Sequence, residues 1–496
     1  MLFNSVDFLV FFPVVVLLYF VMPRRVRYLW LLGCSYYFYM CWNPRYALLM
    51  LTSTAITYLS GILIHRANAV GDEGKRTRLK KLWVGLSFGS NLAILCVFKY
   101  LTFFLESLAA ALGFAGISMT VPTIDLLLPV GISFYTFQAL SYTVDVYRGD
   151  IDAEPNFLRY ALFVSFFPQL VAGPIERSGS LLRQLREDQT FDYVRVRRGL
   201  VLMGWGFFQK VVIADRLAIL ADTVFNEPAG RSGAAVILAA LAFCFQIYCD
   251  FGGYSNIAIG AAKVMGIDLM ENFRQPYLAA NIKNFWRRWH ISLSTWFRDY
   301  LYIPLGGNRR GRVRAMTNLV IVFLVSGLWH GAAWHYVIWG GLHGFYQVVG
   351  AITDPGRRKL RGILSVRENG RLHRICAHAI TFALVTFAFM IFRVNCMSDF
   401  VTLMHAVVFR LDPSSLLGGG LFELGLKKPD FIVAVLSVAV LIVSDLVREK
   451  CCPGEILDRQ PLPVRWAVYL ILIFAILIFG IYGPSYEATA FIYFAF

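Results

Sequence analysis

The chain is poor in charge. Asp, Glu, Lys and Arg together make up 16% of its 496 residues, against roughly 25% in ordinary soluble domains. So few charges cannot coat the surfaces of the two to four soluble domains that this length implies, and 58% of the residues are hydrophobic. The apolar excess is expected to face lipid. Acidic residues are the scarcer sign, 31 against 47 Lys and Arg, for a net charge of +16. Cysteine motifs are missing too. The nine cysteines form no C-x-x-C; Cys34, Cys96, Cys244 and Cys376 sit inside apolar runs, and Cys451 and Cys452 are adjacent in a basic loop. They read as reduced, mostly buried small hydrophobes. These absences exclude a disordered chain, a secreted disulfide scaffold and most soluble enzymes. There is no G-x-S-x-G elbow, Walker A loop, G-x-G-x-x-G or H-E-x-x-H, no internal repeat at fixed period and no low-complexity tract.

What is present is a series of apolar segments. Residues 8–22 lack a basic leader and a small-residue cleavage site, so they are expected to be a retained first span. Further segments lie near 28–42, 46–64, 82–104, 157–172, 200–214, 233–249, 375–392, 431–447 and 466–482. At about 20 apolar residues per spanning helix, the chain is expected to hold about ten to twelve spans in one domain, 1–496. Basic residues cluster between the segments, at Arg24 to Arg27, Arg66 to Lys81, Arg195 to Arg198, Arg309 to Arg314 and Arg357 to Arg374. Short clusters between spans are the positive-inside pattern, which argues for a bilayer as partner and against nucleic acid. They put both termini outside. Two regions do not read as simple spans. Leu126 to Val146 carries Pro129, Gly131, Gln138 and Asp145, as a broken or re-entrant helix would. Phe285 to Leu305 is amphipathic. Trp286, Trp289, Leu293, Trp296 and Tyr300 recur at helical spacing, with Arg288, Ser292, Thr295 and Asp299 opposite.

Ionisable side chains at membrane depth are costly and tend to be functional. Of eight histidines, His65, His373 and His378 lie in or beside basic loops and His405 on a short amphipathic stretch. His335, beside Trp334 and Tyr336, reads as an interface marker, and His343 sits between glycines as a close-packing residue. His330 lies about 15 residues beyond Arg314, or roughly 22 Å of helix rise, in Val325-Ser-Gly-Leu-Trp-His330-Gly-Ala-Ala-Trp-His335. A neutral imidazole there is a competent general base; the alternative is a satisfied core histidine packed on Trp329 and Trp334. His290, in Asn284-Phe-Trp-Arg-Arg-Trp-His290-Ile-Ser-Leu, falls on the apolar face of the amphipathic segment. No pair of histidines has the i, i+3 or i+4 spacing of a helical metal site, so no metal is expected. Asp250, in Asp250-Phe-Gly-Gly-Tyr-Ser-Asn256, could orient a histidine or form a structural ion pair; Asp145 and Asp215 are similar.

The motif around His290, continuing through Trp-Phe-Arg-Asp-Tyr-Leu-Tyr-Ile-Pro-Leu-Gly-Gly-Asn308, resembles the signature of the membrane-bound O-acyltransferases, as does Gly-Leu-Trp-His330-Gly-Ala. Phe167-Pro-Gln-Leu-Val-Ala-Gly-Pro-Ile175, Tyr248-Cys-Asp-Phe-Gly-Gly-Tyr-Ser-Asn-Ile-Ala-Ile-Gly260, the opening Met-Leu-Phe-Asn-Ser and the closing Phe491-Ile-Tyr-Phe-Ala-Phe are similar to the alginate O-acetyltransferase branch. Gly252 and Asn256 depart from it, where relatives often carry Ser and Asp. The resemblance implies an all-α membrane protein with its signature core at about 157–350 and its helices in a ring around a funnel. It implies an acyl donor on the cytoplasmic side, such as acetyl-CoA, with no bound cofactor, and an acceptor hydroxyl outside. It makes His330 the base and His290 the residue that orients the acceptor or stabilises charge on the thioester oxygen. Asn284, Trp286, Arg288, Trp289, Trp329, Asp250, Asp299 and His343 are the candidate substrate-binding residues. It also implies an extracytoplasmic partner resembling SGNH hydrolases and a polysaccharide as final acceptor. Two alternatives stand beside it: teichoic-acid D-alanylation from a carrier protein, and a transporter or flippase of lipid-linked glycan.

Overall fold

A peptide group in hydrocarbon finds no water, so a chain this apolar must satisfy its backbone internally, as helices do turn by turn. The computed structural model describes residues 1–122, 128–363, 370–417, 419–451, 453–482 and 491, and among these there is no β-strand. The protein is an all-α integral membrane protein. Seven of the described helices are long and apolar enough to cross a bilayer: Pro44–Ala67, Glu73–Phe114, Gly233–Val264, Arg312–His330, Arg371–Arg393, Lys428–Arg448 and Leu462–Phe479. Val6–Val21 and Met397–Phe409 are apolar but shorter.

The other expected segments fall on helices of mixed composition. Ile132–Arg148 has 17 residues and buries Gln138 and Asp145. It opens at Gly131, whose φ of +74° and close approach to the Leu170 carbonyl suit glycine alone. The start of the expected broken helix, Leu126 and Leu127, lies outside the described residues, as do Cys452, residues 364–369 of the last basic stretch and the closing residues 492–496. The segment expected over 157–172 is interrupted. Helix Phe157–Ser165 stops at Phe166, and a single turn with Pro168 in it follows, Phe167–Leu170. The side chain of Ser35 supplies the missing partner there, accepting from the Phe167 N–H at 3.1 Å.

The helices group into two compact units. The first comprises Met1–Met203 and Ile257–Met270. Side chains of Ser5, Asn43 and Asp72 cap the starts of its helices. Its buried polar groups meet one another: Tyr160 donates to Thr57 at 2.8 Å, and Glu154 pairs with Arg159 and Arg186 at 3.2 and 2.7 Å. Asp145 accepts from the hydroxyl of Ser178. Glu176, in the loop after Phe167–Leu170, is buried and accepts the Met270 N–H at 2.6 Å. Burial pushes its carboxyl up to about 7.

The second unit comprises Gly204–Asn256 and Glu271–Phe496. Within it, Arg312–His330 packs against Trp334–Ile363 backbone to backbone. A Cβ on Gly327 would stand 2.2 Å from the Tyr336 carbonyl oxygen and 3.2 Å from the Gly340 Cα, so only glycine lets the two backbones meet. That contact fixes the last turn of Arg312–His330, which ends on His330.

Candidate active site

The site grows from a break in the amphipathic segment. Asn281 caps Ile282–Trp286 by accepting the Asn284 N–H at 2.8 Å, but the helix ends after one turn. The chain then runs beside residues 272–275: the Arg274 N–H donates to the Arg288 carbonyl at 2.8 Å, and the Ile291 N–H to the Asn272 carbonyl at 2.9 Å. His290 stands at the reversal with φ +42°, in the left-handed region, and Ile291–Phe297 starts after it. The one continuous amphipathic helix expected over 285–305 is therefore corrected. Tertiary pairing with 272–275 overrides the helical period, and Ser292, expected on the polar face, is fully buried. Only His290 and Gln275 among the described non-glycine residues have positive φ, and both border this pairing. Such conformations cost of order 1–3 kcal/mol each and gather at functional sites.

The reversal aims His290 inward. His290 is 0% exposed and His330 3%. Phe251 meets the His290 ring edge-on at 4.6 Å, Trp329 lies 6.0 Å away, and the His330 ring centroid is 6.3 Å from that of His290. His330 is walled by Trp329, Trp339 and Phe392 at 5.0, 5.1 and 5.5 Å. Behind it, the Trp286 indole N–H donates to His343 Nδ1 at 3.2 Å, and Trp339 touches both rings. Trp289 stacks on Phe285 at 5.4 Å. The structure thus brings together His290, His330 and Trp329, with Trp286, Trp289 and His343 packed around them.

The charged candidates are engaged elsewhere. Asp250 faces Lys210, whose Nζ is 2.5 Å from it and 2.9 Å from Asp215, all three buried. The neighbouring Phe251 and Ser255 of the same motif do reach the site, and Asn256 donates to Gln209 at 2.7 Å. Arg288 forks onto Glu449 at 2.7 and 2.8 Å and also donates to Asn284. That guanidinium holds the Glu449 carboxyl below its ordinary range. Asp299 pairs with Arg298 at 2.7 Å. His335 is buried against Tyr336, 4.0 Å between ring centroids. Among the described residues no three or more His, Cys, Asp or Glu side chains group as metal ligands would. Sequence reasoning missed Asn272, Trp339, Phe392 and Lys210. For Lys210 a signal exists, a lone cation inside the apolar run 200–214; for Asn272 there is none.

The sequence profile described as the membrane-bound O-acyltransferase family matches residues 150–398, a stretch that contains both histidines. The chain belongs to the membrane-bound O-acyltransferase family. It is 37% identical to the probable alginate O-acetylase AlgI of Pseudomonas putida over the full length of both chains. It is 34% identical to the peptidoglycan O-acetyltransferase of Helicobacter pylori over 82% of this chain and 80% of that one. It is 29% identical to the teichoic acid D-alanyltransferase of Bacillus subtilis over 55% and 70%. Within the membrane-bound O-acyltransferases it stands in the alginate O-acetyltransferase-like branch, and it is a multi-pass membrane acyltransferase.

Proposed function

We propose that this protein is an O-acetyltransferase of a bacterial inner membrane that moves an acetyl group from a cytoplasmic thioester, such as acetyl-CoA, to an extracytoplasmic hydroxyl, for modification of a secreted or cell-wall polysaccharide. The observation that carries the chemistry is the pair of buried imidazoles of His290 and His330, 6.3 Å apart inside an aromatic shell. In this reading His330 removes the hydroxyl proton as the oxygen attacks the thioester carbonyl. The C–O bond forms, the C–S bond breaks, and the leaving thiolate takes the proton. His290 orients the acceptor or faces the charge that develops on the carbonyl oxygen. The same reading keeps both termini outside and brings the donor and the acceptor to the site from opposite sides of the bilayer.

The full-length likeness to an alginate O-acetylase and the broad likeness to a peptidoglycan O-acetyltransferase favour acetyl as the group and a polysaccharide as final acceptor. The shorter match to a D-alanyltransferase weighs against carrier-protein chemistry. An SGNH-hydrolase-like protein is the expected partner that passes the acetyl on. The test incubates purified protein in vesicles with radiolabelled acetyl-CoA, such a partner and candidate polysaccharides. Label is expected on partner or glycan. Movement of a labelled glycan with no consumption of acetyl-CoA would replace this reading with transport.

A further inference from the structure

His290 Nδ1 lies 3.1 Å from Asn272 Oδ1. The same oxygen faces the Ser292 hydroxyl at 3.0 Å and the Ser292 backbone N–H at 3.4 Å, while Asn272 Nδ2 donates to Ser255 Oγ at 3.2 Å. Asn272, Ser255 and Ser292 are all buried. A hydroxyl or an imidazole nitrogen can give or take a hydrogen, so neither fixes which way the amide points. A backbone N–H can only give. The atom it meets must be the amide oxygen, and that oxygen can only accept. His290 Nδ1 therefore carries a proton, and in the neutral ring Nε2 carries the lone pair.

We infer that Asn272 is a positioning residue that holds His290 as the Nδ1–H tautomer, so that its Nε2 serves the acceptor hydroxyl and not the thioester oxygen. This rests on the transferase reading and decides between the two roles open to His290. An oxyanion needs a donor, and the Nε2 of this tautomer is an acceptor until it has gained a proton. The left-handed backbone at His290 fits the same purpose. With φ at +42° and the Ile291 N–H bonded to the Asn272 carbonyl, ring and amide are held in register from both main chain and side chain.

The test reads the tautomer directly. Protein labelled with 15N-histidine is compared with its His290→Gln variant, so that the His290 signals are found by difference. Nδ1 is expected as the protonated nitrogen and Nε2 as the unprotonated one; the reverse assignment overturns the inference. In the transfer assay Asn272→Leu is expected to lower kcat about 10²-fold, with the KM for acetyl-CoA little changed. Asn272→Asp keeps an acceptor at Nδ1 and is expected to restore most of that loss. Its acid limb of kcat should move to higher pH, since a carboxylate favours the imidazolium; the His330 ring, which can also titrate, faces His290 at 6.3 Å. Equal activity of Asn272→Leu and wild type would also overturn it. If wild-type protein transfers no acetyl, the functional reading fails, while the spectrum of the wild-type protein still decides the tautomer.

Discussion

His290 and His330, forty residues apart in the chain, bring their rings to 6.3 Å, centroid to centroid. In the proposed transfer both rings face one reacting centre, so they should not act independently. His330→Ala is expected to lower acetyl transfer about 10²- to 10⁴-fold, with the protein still inserted and monodisperse. His290→Ala with His330→Ala should be scarcely worse than the more damaging single change. Losses that multiply in the double variant would place the two rings in separate steps.

The contact between Gly327 and Gly340 predicts a steric cost. Gly327→Ala drives a Cβ into the Tyr336 carbonyl and should destabilise the protein by about 1–3 kcal/mol, read as a lower thermal midpoint in detergent. Gly350, on the same helix as Gly340, has open space where its Cβ would be. Gly350→Ala should be neutral or slightly stabilising, since alanine favours a helix by about 1 kcal/mol over glycine.

Lys210 lies between two buried carboxylates. Lys210→Met removes the ammonium that both carboxylates face and should cost about 3–5 kcal/mol. Adding Asp215→Asn should recover part of the loss. A Lys210→Met protein as heat-resistant as the wild type would mean that water reaches the pair.

The parts of the fold legible in the sequence are those on which the bilayer acts as a solvent. The apolar runs at 46–64, 233–249, 375–392 and 431–447 fall on long helices, and the run at 466–482 does so up to Phe479, because every residue of a span answers to the same environment. His290 and His330 stood out for the converse reason, as polar groups where apolar ones are cheaper. The reversal at His290 was hidden, because it depends on pairing with residues 272–275, and no local period encodes that partner. The pairing of Asp250 was half visible. Its carboxylate suggested an ion pair, but Lys210 lies forty residues away.

Glu176 gives a pH dependence outside the spans. Its carboxyl titrates at about 7 in the fold against an ordinary 4.5, so between those values the folded state holds a proton that the unfolded state has lost. Stability should therefore fall as pH rises from about 4.5 to about 7 and level off above. Glu176→Gln keeps the oxygen that accepts from Met270 and removes the titration. Its thermal midpoint should vary less over that window and equal or exceed the wild-type value at pH 8. A variant whose pH profile overlays the wild type would assign the dependence to another group.

The backbone of His290 sets two selections against each other. Glycine would relax its left-handed conformation, and asparagine would tolerate it better than an imidazole-bearing residue does. A library screened for heat resistance alone should drift towards those residues at this position, and a library screened for transfer should return histidine. The strain in that single residue is a cost that evolution cannot remove by point mutation without also removing the ring.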